Sequence, residues 1–309
     1  MRPPIEPLMK KTEALLTQFH RQRPVRAGSL LITILGDSIA PRGGQISLAS
    51  LIEFATQLRL PERLIRTSIG RLAQDDWVTS TRSGRNSYYC LTATGRARFA
   101  EATQRIYAAQ PPSWSGLWTV VVVRSSARET RETVRQELIW LGFGQIAPGV
   151  FVHPLLEERS VRGHVRKSVA RDLIILRDAR SVQMSDVRLV QQGWDFRDLT
   201  RRYRKFIDMF SGLEDEVGEA ADISPERAFI LRTLLLHEYR KIHLRDPLLP
   251  AVLLPARWVG SDALDLCRRI YAQVFRSSEQ YLSRTGKTHS GPLPKVSNDT
   301  YLRFGGLPR

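Results

Sequence analysis

Apolar residues in the first hundred positions recur at helical spacing, and short turn-forming segments separate the stripes. From Ser29 one stripe predicts a helix that ends before Pro41. A second stripe runs to Leu58 and follows Ser47, a residue type that favours the N-cap of a helix. Pro61 predicts the start of a third helix, because proline is compatible with a first helical turn.

The next segment is rich in Val, Thr and Tyr and predicts a β-hairpin. Residues 77–82 and 87–91 have strand character and flank a turn that contains Gly84. Thr92 then favours the start of a fourth helix. Three helices, a hairpin and a further helix are the element order of a winged helix-turn-helix domain, which we place at residues 29–110.

Flanking this domain are a basic N-terminal arm at residues 1–28 and a proline-containing linker at 110–113. Residues 114–190 then alternate between strand and helix patterns and predict a small, ferredoxin-like α+β domain. Its predicted elements are a strand at 118–124, a helix at 126–141, a strand at 146–153, a helix at 157–170 and a strand at 173–176.

The last part of the chain, residues 191–309, predicts a helical domain for effector binding or dimerisation. Its helices are expected at 195–210, 224–244 and 261–282. The predicted fold class is therefore a multidomain α/β protein of the α+β kind: a winged helix, a ferredoxin-like domain and a C-terminal helical domain.

The charge of the chain indicates the kind of partner that the protein binds. The formal net charge is +16, and residues 1–110 contain 16 Lys and Arg against 8 Asp and Glu. About a third of the chain thus carries half of the excess. A positive field favours phosphate-rich partners, nucleic acid first, although a charge that serves solubility is the alternative interpretation.

Cysteine usage and hydropathy narrow the class of protein. Cys90 and Cys267 lie far apart, so they predict neither a disulfide framework nor a metal knuckle. No apolar run approaches the ~18 residues that span a bilayer, and no leader pattern opens the chain. We expect a cytoplasmic protein that folds without a metal or cofactor and does not bind a membrane.

Eight polar residues are candidates for DNA binding. In a winged helix the second helix of the helix-turn-helix enters the major groove, where Arg reads guanine edges. The wing tip reaches phosphates or an adjacent minor groove. The candidates are Arg42 before the second helix, Arg63, Arg66, Thr67 and Arg71 in the third helix, and Arg82, Arg85 and Asn86 at the wing. For any single residue, an ordinary solvated face is the alternative.

Catalytic and metal-binding patterns are weaker. His237 and His243 are six residues apart, which disfavours a helical zinc pair, so core hydrogen bonding or effector contacts fit them better. P-loop, dinucleotide and nucleophile-elbow motifs are absent from the sequence. Asp172, Asp178 and Asp186 leave open a metal-dependent nuclease with a winged-helix front end. The arginines next to these aspartates favour solvated ion pairs over a metal site. We therefore expect that the protein is not an enzyme.

Several segments, in one consistent order, resemble the PaaX family, transcriptional repressors of phenylacetate degradation. The resemblance runs from about Ser29 to the last residues. The matching segments are GDSIAPRGG (36–44), ERLIRTSIGRLAQDDW (62–77), SGRNSYYCLTATG (83–95), WLGFGQIAPGV (140–150), LLLHEYRKIHLRDPLLPAVLLPARWVG (234–260) and RFGGL (303–307).

The resemblance implies a repressor that binds operator double-stranded DNA and is released by phenylacetyl-CoA. An acyl-CoA needs cations for its phosphates and an apolar slot for its phenyl group. We place this effector site at Tyr239, Arg240, Lys241, His243, Arg245 and Trp258. A homodimer is expected, because one winged helix contacts too few base pairs for specificity.

Overall fold

A computed structural model describes residues 5–21, 26–108, 113–125, 127–156, 161, 172–219 and 223–308. The chain divides into two units. Unit 1 contains Met1–Ala109, Arg204–Leu244 and Asp262–Arg309, and unit 2 contains Gln110–Tyr203 and Arg245–Ser261. This division differs from the predicted segments 1–28, 29–110, 114–190 and 191–309, because most of the C-terminal helical residues share a unit with the winged helix.

Unit 1 begins with four helices: α1 (Ile5–Arg21), α2 (Ala27–Ile34), α3 (Leu48–Gln57) and α4 (Glu62–Gln74). After α2 the chain continues as one π-helical turn and one 3-10 turn as far as Arg42. The predicted cap is confirmed, since the Ser47 hydroxyl accepts a hydrogen bond from the Ser50 backbone N–H at 3.1 Å. Pro61 has extended backbone angles and precedes α4 rather than occupying its first turn.

A three-stranded sheet and a fifth helix complete the N-terminal part. The strands are β1 (Gln45–Ser47), β2 (Val78–Ser83) and β3 (Asn86–Leu91), in the order β1-β3-β2, followed by α5 (Ala93–Ile106). Gly84 has φ +59° at the first central position of the turn between β2 and β3, where a type II′ turn requires glycine. The predicted hairpin is confirmed to within one residue at each strand end.

The described part of the predicted N-terminal arm is a docked helix. In α1 the apolar residues Leu8, Leu15, Leu16 and Phe19 are each at most 4% exposed. A stripe at this spacing is what an amphipathic helix buries against a neighbour. The basic residues Lys10, Lys11 and Arg21 therefore lie outside the buried stripe of a packed helix.

Unit 2 contains a four-stranded antiparallel sheet. Its strands β4 (Trp118–Val123), β5 (Gly144–Ala147), β6 (Val150–His153) and β7 (Leu173–Ala179) lie in the order β5-β6-β4-β7. A ferredoxin-like βαββαβ chain has this strand order. The prediction of one strand at 146–153 is wrong, since β5 and β6 form a hairpin that turns at Gly149, φ +76°.

Helices lie on both faces of this sheet. On one face α6 (Arg128–Trp140) buries Val134 and Leu138 against Val121 and Phe151. On the other, the unpredicted helix α7 (Asp186–Gly193) packs Val190 in a cluster with Trp118, Val152, Leu249 and Leu253. Two predictions fall outside the described residues. They are the helix at 157–170, of which only helical Val161 is described, and the centre of the linker at 110–113.

The remaining helices are α8 (Arg197–Phe210), α9 (Leu213–Glu219), α10 (Pro225–His243) and α11 (Val259–Thr285). Helix α10 has buried residues at almost every position of its middle turns, so it is a core helix of unit 1 and not an amphipathic surface helix. A short hairpin, β8 (Lys287–Thr288) and β9 (Gly291–Pro292), follows α11. Its contact with β1 brings the chain end to the wing sheet.

Candidate DNA-binding surface

Helix α4 separates its residues cleanly between core and solvent. Ile65, Ser68, Ile69 and Leu72 are buried, which fixes the rotation of the helix about its axis. The candidates on the opposite face are all exposed: Arg63, Arg66, Thr67 and Arg71. Helical geometry places these residues within about two turns, so they form one polar strip.

Local contacts within the strip are weak enough to exchange for a ligand. The guanidinium Nε of Arg66 donates to the Glu62 carboxylate at 2.8 Å, and both side chains are 55% exposed. Exposed pairs of this kind contribute at most about 1 kcal/mol. Gly70, also on this side, has open space where a Cβ would stand. The strip therefore presents donors and little bulk.

The wing adds a second group of exposed donors. Arg82, Arg85 and Asn86 are exposed at the end of the β2–β3 hairpin, where Ser83 pairs with Asn86. These strands are held by β1 on one side only, so the hairpin tip projects from the sheet. An arginine strip on a helix and two arginines on a wing have the chemistry that binds phosphates and base edges.

Arg42 does not belong to this surface. Its side chain is fully buried, forms an ion pair with Glu279 and donates to the Ser38 carbonyl. The prediction that Arg42 clamps the DNA backbone does not fit this placement, because the guanidinium is committed to a core ion pair. Proximity to the Gly-rich turn in the sequence suggested exposure, but the turn folds inward against α11.

A buried polar cluster that the sequence reasoning missed surrounds Asp37, in the turn after α2. Its carboxylate accepts hydrogen bonds from the hydroxyls of Tyr107, at 2.6 Å, and Tyr271, at 2.7 Å. It also forms ion pairs with Arg232, at 2.7 Å, and Arg303, at 2.8 Å. All of these groups are at most 7% exposed. The cluster thus joins the winged helix to α10, α11 and the C-terminal segment.

The protonation of this cluster is set by competing effects. Burial raises the pKa of Asp37, but Arg232, Arg303 and the two tyrosine hydroxyls outweigh it and hold the pKa at about 2. Burial and the neighbouring carboxylate raise the pKa of Tyr271 above its ordinary value. Asp37 is therefore a carboxylate, and Tyr271 a neutral donor, throughout the neutral range.

Comparisons with known proteins assign the chain to a family. Sequence models match it as "PaaX-like protein" at residues 26–95, "PaaX protein central Cas2-like domain" at 111–190 and "PaaX-like protein C-terminal domain" at 194–284. The chain belongs to the PaaX family. It is 35% identical over 304 residues to "Transcriptional repressor PaaX" of Escherichia coli (strain K12), covering 97% of this chain and 96% of that protein.

A solved structure with a similar fold comes from a mycobacterial protein. It is "Uncharacterized protein Rv0674 from Mycobacterium tuberculosis", with a TM-score of 0.50 and 21% sequence identity. The match covers 74% of this chain and 88% of that one. In the part of the chain that the structure describes, no helix is long and apolar enough to cross a membrane.

The predicted effector residues of unit 1 lie in packed surroundings. The rings of Tyr239 and His243 stack at 4.8 Å, and Tyr239 is fully buried. The guanidinium of Arg240 donates to the Thr33 hydroxyl at 2.7 Å and to the Ser29 carbonyl, which ties α10 to α2. Lys241 pairs with Glu238 at 3.0 Å. The contacts of Tyr239, His243 and Arg240 thus lie inside unit 1, whereas the pair of Lys241 lies within α10 itself.

The other two predicted effector residues belong to unit 2. Arg245 is exposed, whereas Trp258 is 9% exposed and its ring lies edge-on to Phe196 at 5.2 Å and to Tyr203 at 6.0 Å. Trp258 thus packs in an aromatic cluster.

Among the described residues, no group of three His, Cys, Asp or Glu could hold a metal ion. The structure therefore adds no support to the hypotheses of a metal site or a metal-dependent nuclease. His237 hydrogen-bonds to Thr33 through Nδ1 at 3.0 Å, and burial lowers its pKa well below the ordinary value, as a neutral core histidine requires. Asp186 accepts a hydrogen bond from the Trp118 indole at 2.9 Å, a structural contact.

Proposed function

We propose that this PaaX-family protein is a transcriptional repressor of phenylacetate catabolic genes and acts by binding operator DNA, without catalysis. The observation that carries the proposal is the exposed arginine strip of α4 together with an arginine-tipped wing. It occurs in a chain that is related, over 97% of its length, to a transcriptional repressor.

The proposed binding mode follows from the shapes of helix α4 and of the wing. An α-helix fits the major groove of B-DNA, so α4 enters it with Arg63, Arg66, Thr67 and Arg71 toward the base edges. The wing then contacts phosphates or the neighbouring minor groove through Arg82, Arg85 and Asn86. Because one such head contacts few base pairs, we propose that a homodimer binds two half-sites.

We further propose that phenylacetyl-CoA is the effector that releases the repressor. A ligand shifts a conformational equilibrium only by its differential affinity for the two states. Phenylacetate is small and carries one charge, whereas the CoA thioester adds phosphates and a long chain with which to distinguish the states. The thioester is therefore the species with enough contacts to act as a switch.

Fluorescence anisotropy with the full chain tests the DNA-binding part of this proposal. The probe is a labelled duplex from the promoter of a phenylacetate catabolic operon, and the control is a scrambled duplex of the same length. We expect the promoter duplex to bind at least about 10³-fold more tightly at physiological salt, with two chains per duplex. Equal affinity for the two duplexes would exclude a sequence-specific repressor.

A further inference from the structure

A cationic groove in unit 1, between α1 and α8, takes no part in the proposed DNA surface. Its larger section has a volume of about 860 Å³ and is lined by Ala14, Thr17, Gln18, Arg21 and Lys205. A smaller section of about 280 Å³ shares Ala14, Gln18 and Lys205 and adds Lys11, Leu15, Asp208 and Met209. The shared lining makes the two sections one continuous groove, and its size suits a ligand larger than a simple anion.

The lining combines positive charge with apolar surface. Lys11, Arg21 and Lys205 contribute three cations against one carboxylate, that of Asp208. The ammonium of Lys11 is held in place by the Ser211 carbonyl at 2.9 Å. Ala14 and Met209 provide apolar contact in the smaller section. Cations beside an apolar slot suit a ligand with phosphates at one end and a hydrocarbon group at the other.

The same helix that lines the groove also holds the turn of the helix-turn-helix. Glu13 on α1 forms an ion pair with Arg59, which has φ +58° in the turn between α3 and α4. About two helical turns further on, the ring Nε2 of His20 lies 2.9 Å from the Leu58 carbonyl oxygen. Both contacts are next to groove residues in the sequence of α1. A displacement of α1 therefore acts directly on the segment that positions α4.

We infer that this groove is the effector site, that it binds an acyl-CoA thioester, and that α1 transmits its occupancy to the helix-turn-helix. The inference rests on the proposed function for the identity of the effector. It replaces the predicted site around Tyr239 and Arg240, because those side chains are bonded within the protein whereas the groove is open to solvent. The phosphates lie along Arg21 and Lys205, and the acyl group lies toward Ala14 and Met209.

Isothermal titration of the full chain with phenylacetyl-CoA tests the site. The charge variant is Arg21→Glu with Lys205→Glu, and the shape variant is Ala14→Trp, which fills both sections of the groove. Arg268→Glu on α11 is the matched control, since this exposed arginine of the same unit does not line the groove. We expect both groove variants to bind at least tenfold more weakly and the control to stay within twofold of the wild type. Adenosine 3′,5′-bisphosphate, a probe that carries phosphates but no acyl chain, is expected to bind weakly and to lose affinity in both groove variants.

The possible results of this titration distinguish an error in the location of the site from an error in the proposed function. If wild type binds the thioester and all variants bind it equally well, the groove is wrong while the repressor and its effector stand. If wild type does not bind the thioester, the effector and the groove are both overturned, although DNA binding is not.

A second double variant, Glu13→Ala with His20→Ala, tests the transmission, because it removes both contacts to the turn and no groove side chain. We expect this variant to bind the thioester with an affinity within twofold of the wild type. The factor by which saturating thioester lowers its DNA affinity should be at least threefold smaller than in the wild type. An unchanged drop in DNA affinity would overturn the role of α1. Thermal unfolding of each variant identifies any loss that comes from the fold itself.

Discussion

The guanidinium Nε of Arg232, on the core helix α10, lies 2.7 Å from the Oδ2 of Asp37, in the turn that follows α2. Neither side chain is more than 3% exposed. The pair connects the first helix of the winged domain to the C-terminal helices through the interior of unit 1. The DNA-binding head and most of the C-terminal helices therefore share one core.

Replacing Asp37 with asparagine tests how much this core depends on the carboxylate. Removing one partner of a buried ion pair leaves an uncompensated charge and typically costs about 3–5 kcal/mol. Asp37→Asn is expected to lower the free energy of unfolding by that amount in urea, followed by far-UV circular dichroism. Asp265→Asn, an exposed change on α11, is the control and should be nearly neutral. A loss below about 1 kcal/mol in Asp37→Asn would mean that the cluster does not stabilise the fold.

Unit 2 is expected to be acid-sensitive through His153. The ring Nδ1 accepts the backbone N–H groups of Leu155 and Leu156, and burial lowers the His153 pKa to about 3. Because the folded pKa lies below the unfolded value of about 6.5, stability is complete above pH 6.5 and falls as the pH drops toward 3. Between pH 7.5 and pH 5 the expected loss is about 2 kcal/mol. The Asp37 carboxylate does not contribute in this window, since its pKa is about 2.

Urea unfolding followed by tryptophan fluorescence measures this loss, because five of the six tryptophans lie in the residues assigned to unit 2. His153→Asn keeps an acceptor near the Nδ1 position without a titrating group, so its stability should change little between the two pH values. His289→Asn, an exposed substitution, should behave like the wild type. Equal acid sensitivity in His153→Asn and the wild type would assign the effect to another group.

Base reading is assigned to the α4 strip, so Arg66→Ala and Arg71→Ala are expected to weaken binding to the promoter duplex. Each lost base contact is worth about 1–3 kcal/mol, whereas an exposed substitution of this kind changes folding stability by less than about 0.5 kcal/mol. Gel shifts and thermal melts measure the two quantities. Arg268→Ala is the matched arginine control. Unchanged affinity in both strip variants would remove α4 from the interface.

The wing is expected to contribute through charge more than through sequence. Arg85→Ala should weaken promoter and scrambled duplexes by similar factors and reduce the slope of log affinity against log salt by about one. Anisotropy titrations between about 50 and 200 mM salt measure that slope. A loss confined to the promoter duplex would instead assign base recognition to Arg85.

Local patterns were sufficient to predict much of the winged helix, because the Ser47 and Thr92 caps and the turn at Gly84 act within a few residues. Long-range contacts were not visible in the sequence. Arg42 looked like a DNA contact because its neighbours are glycines, yet its partner Glu279 lies 237 positions away. The one local signal for the buried cluster was Asp37, the single charged residue within the mostly apolar stretch from Leu30 to Ile39.

The predicted effector site shows the same limit. A run of cations and aromatics in 237–246 indicated a ligand, but Tyr239 and His243 bond to each other, and Arg240 bonds to α2. The basic residues of α1 and α8 that form the groove are nearly two hundred positions apart, so no sequence window contains them together. Only the packing of α1 as a helix brings them to one surface.

The affinity of the full chain for the promoter duplex, measured with and without saturating phenylacetyl-CoA, tests the proposed repressor and its switch together. A coupling of about 1–3 kcal/mol predicts roughly 5–150-fold weaker binding with the thioester and no change with phenylacetate or CoA alone. Tight promoter binding that phenylacetyl-CoA leaves unchanged, or that free phenylacetate weakens equally, would contradict it.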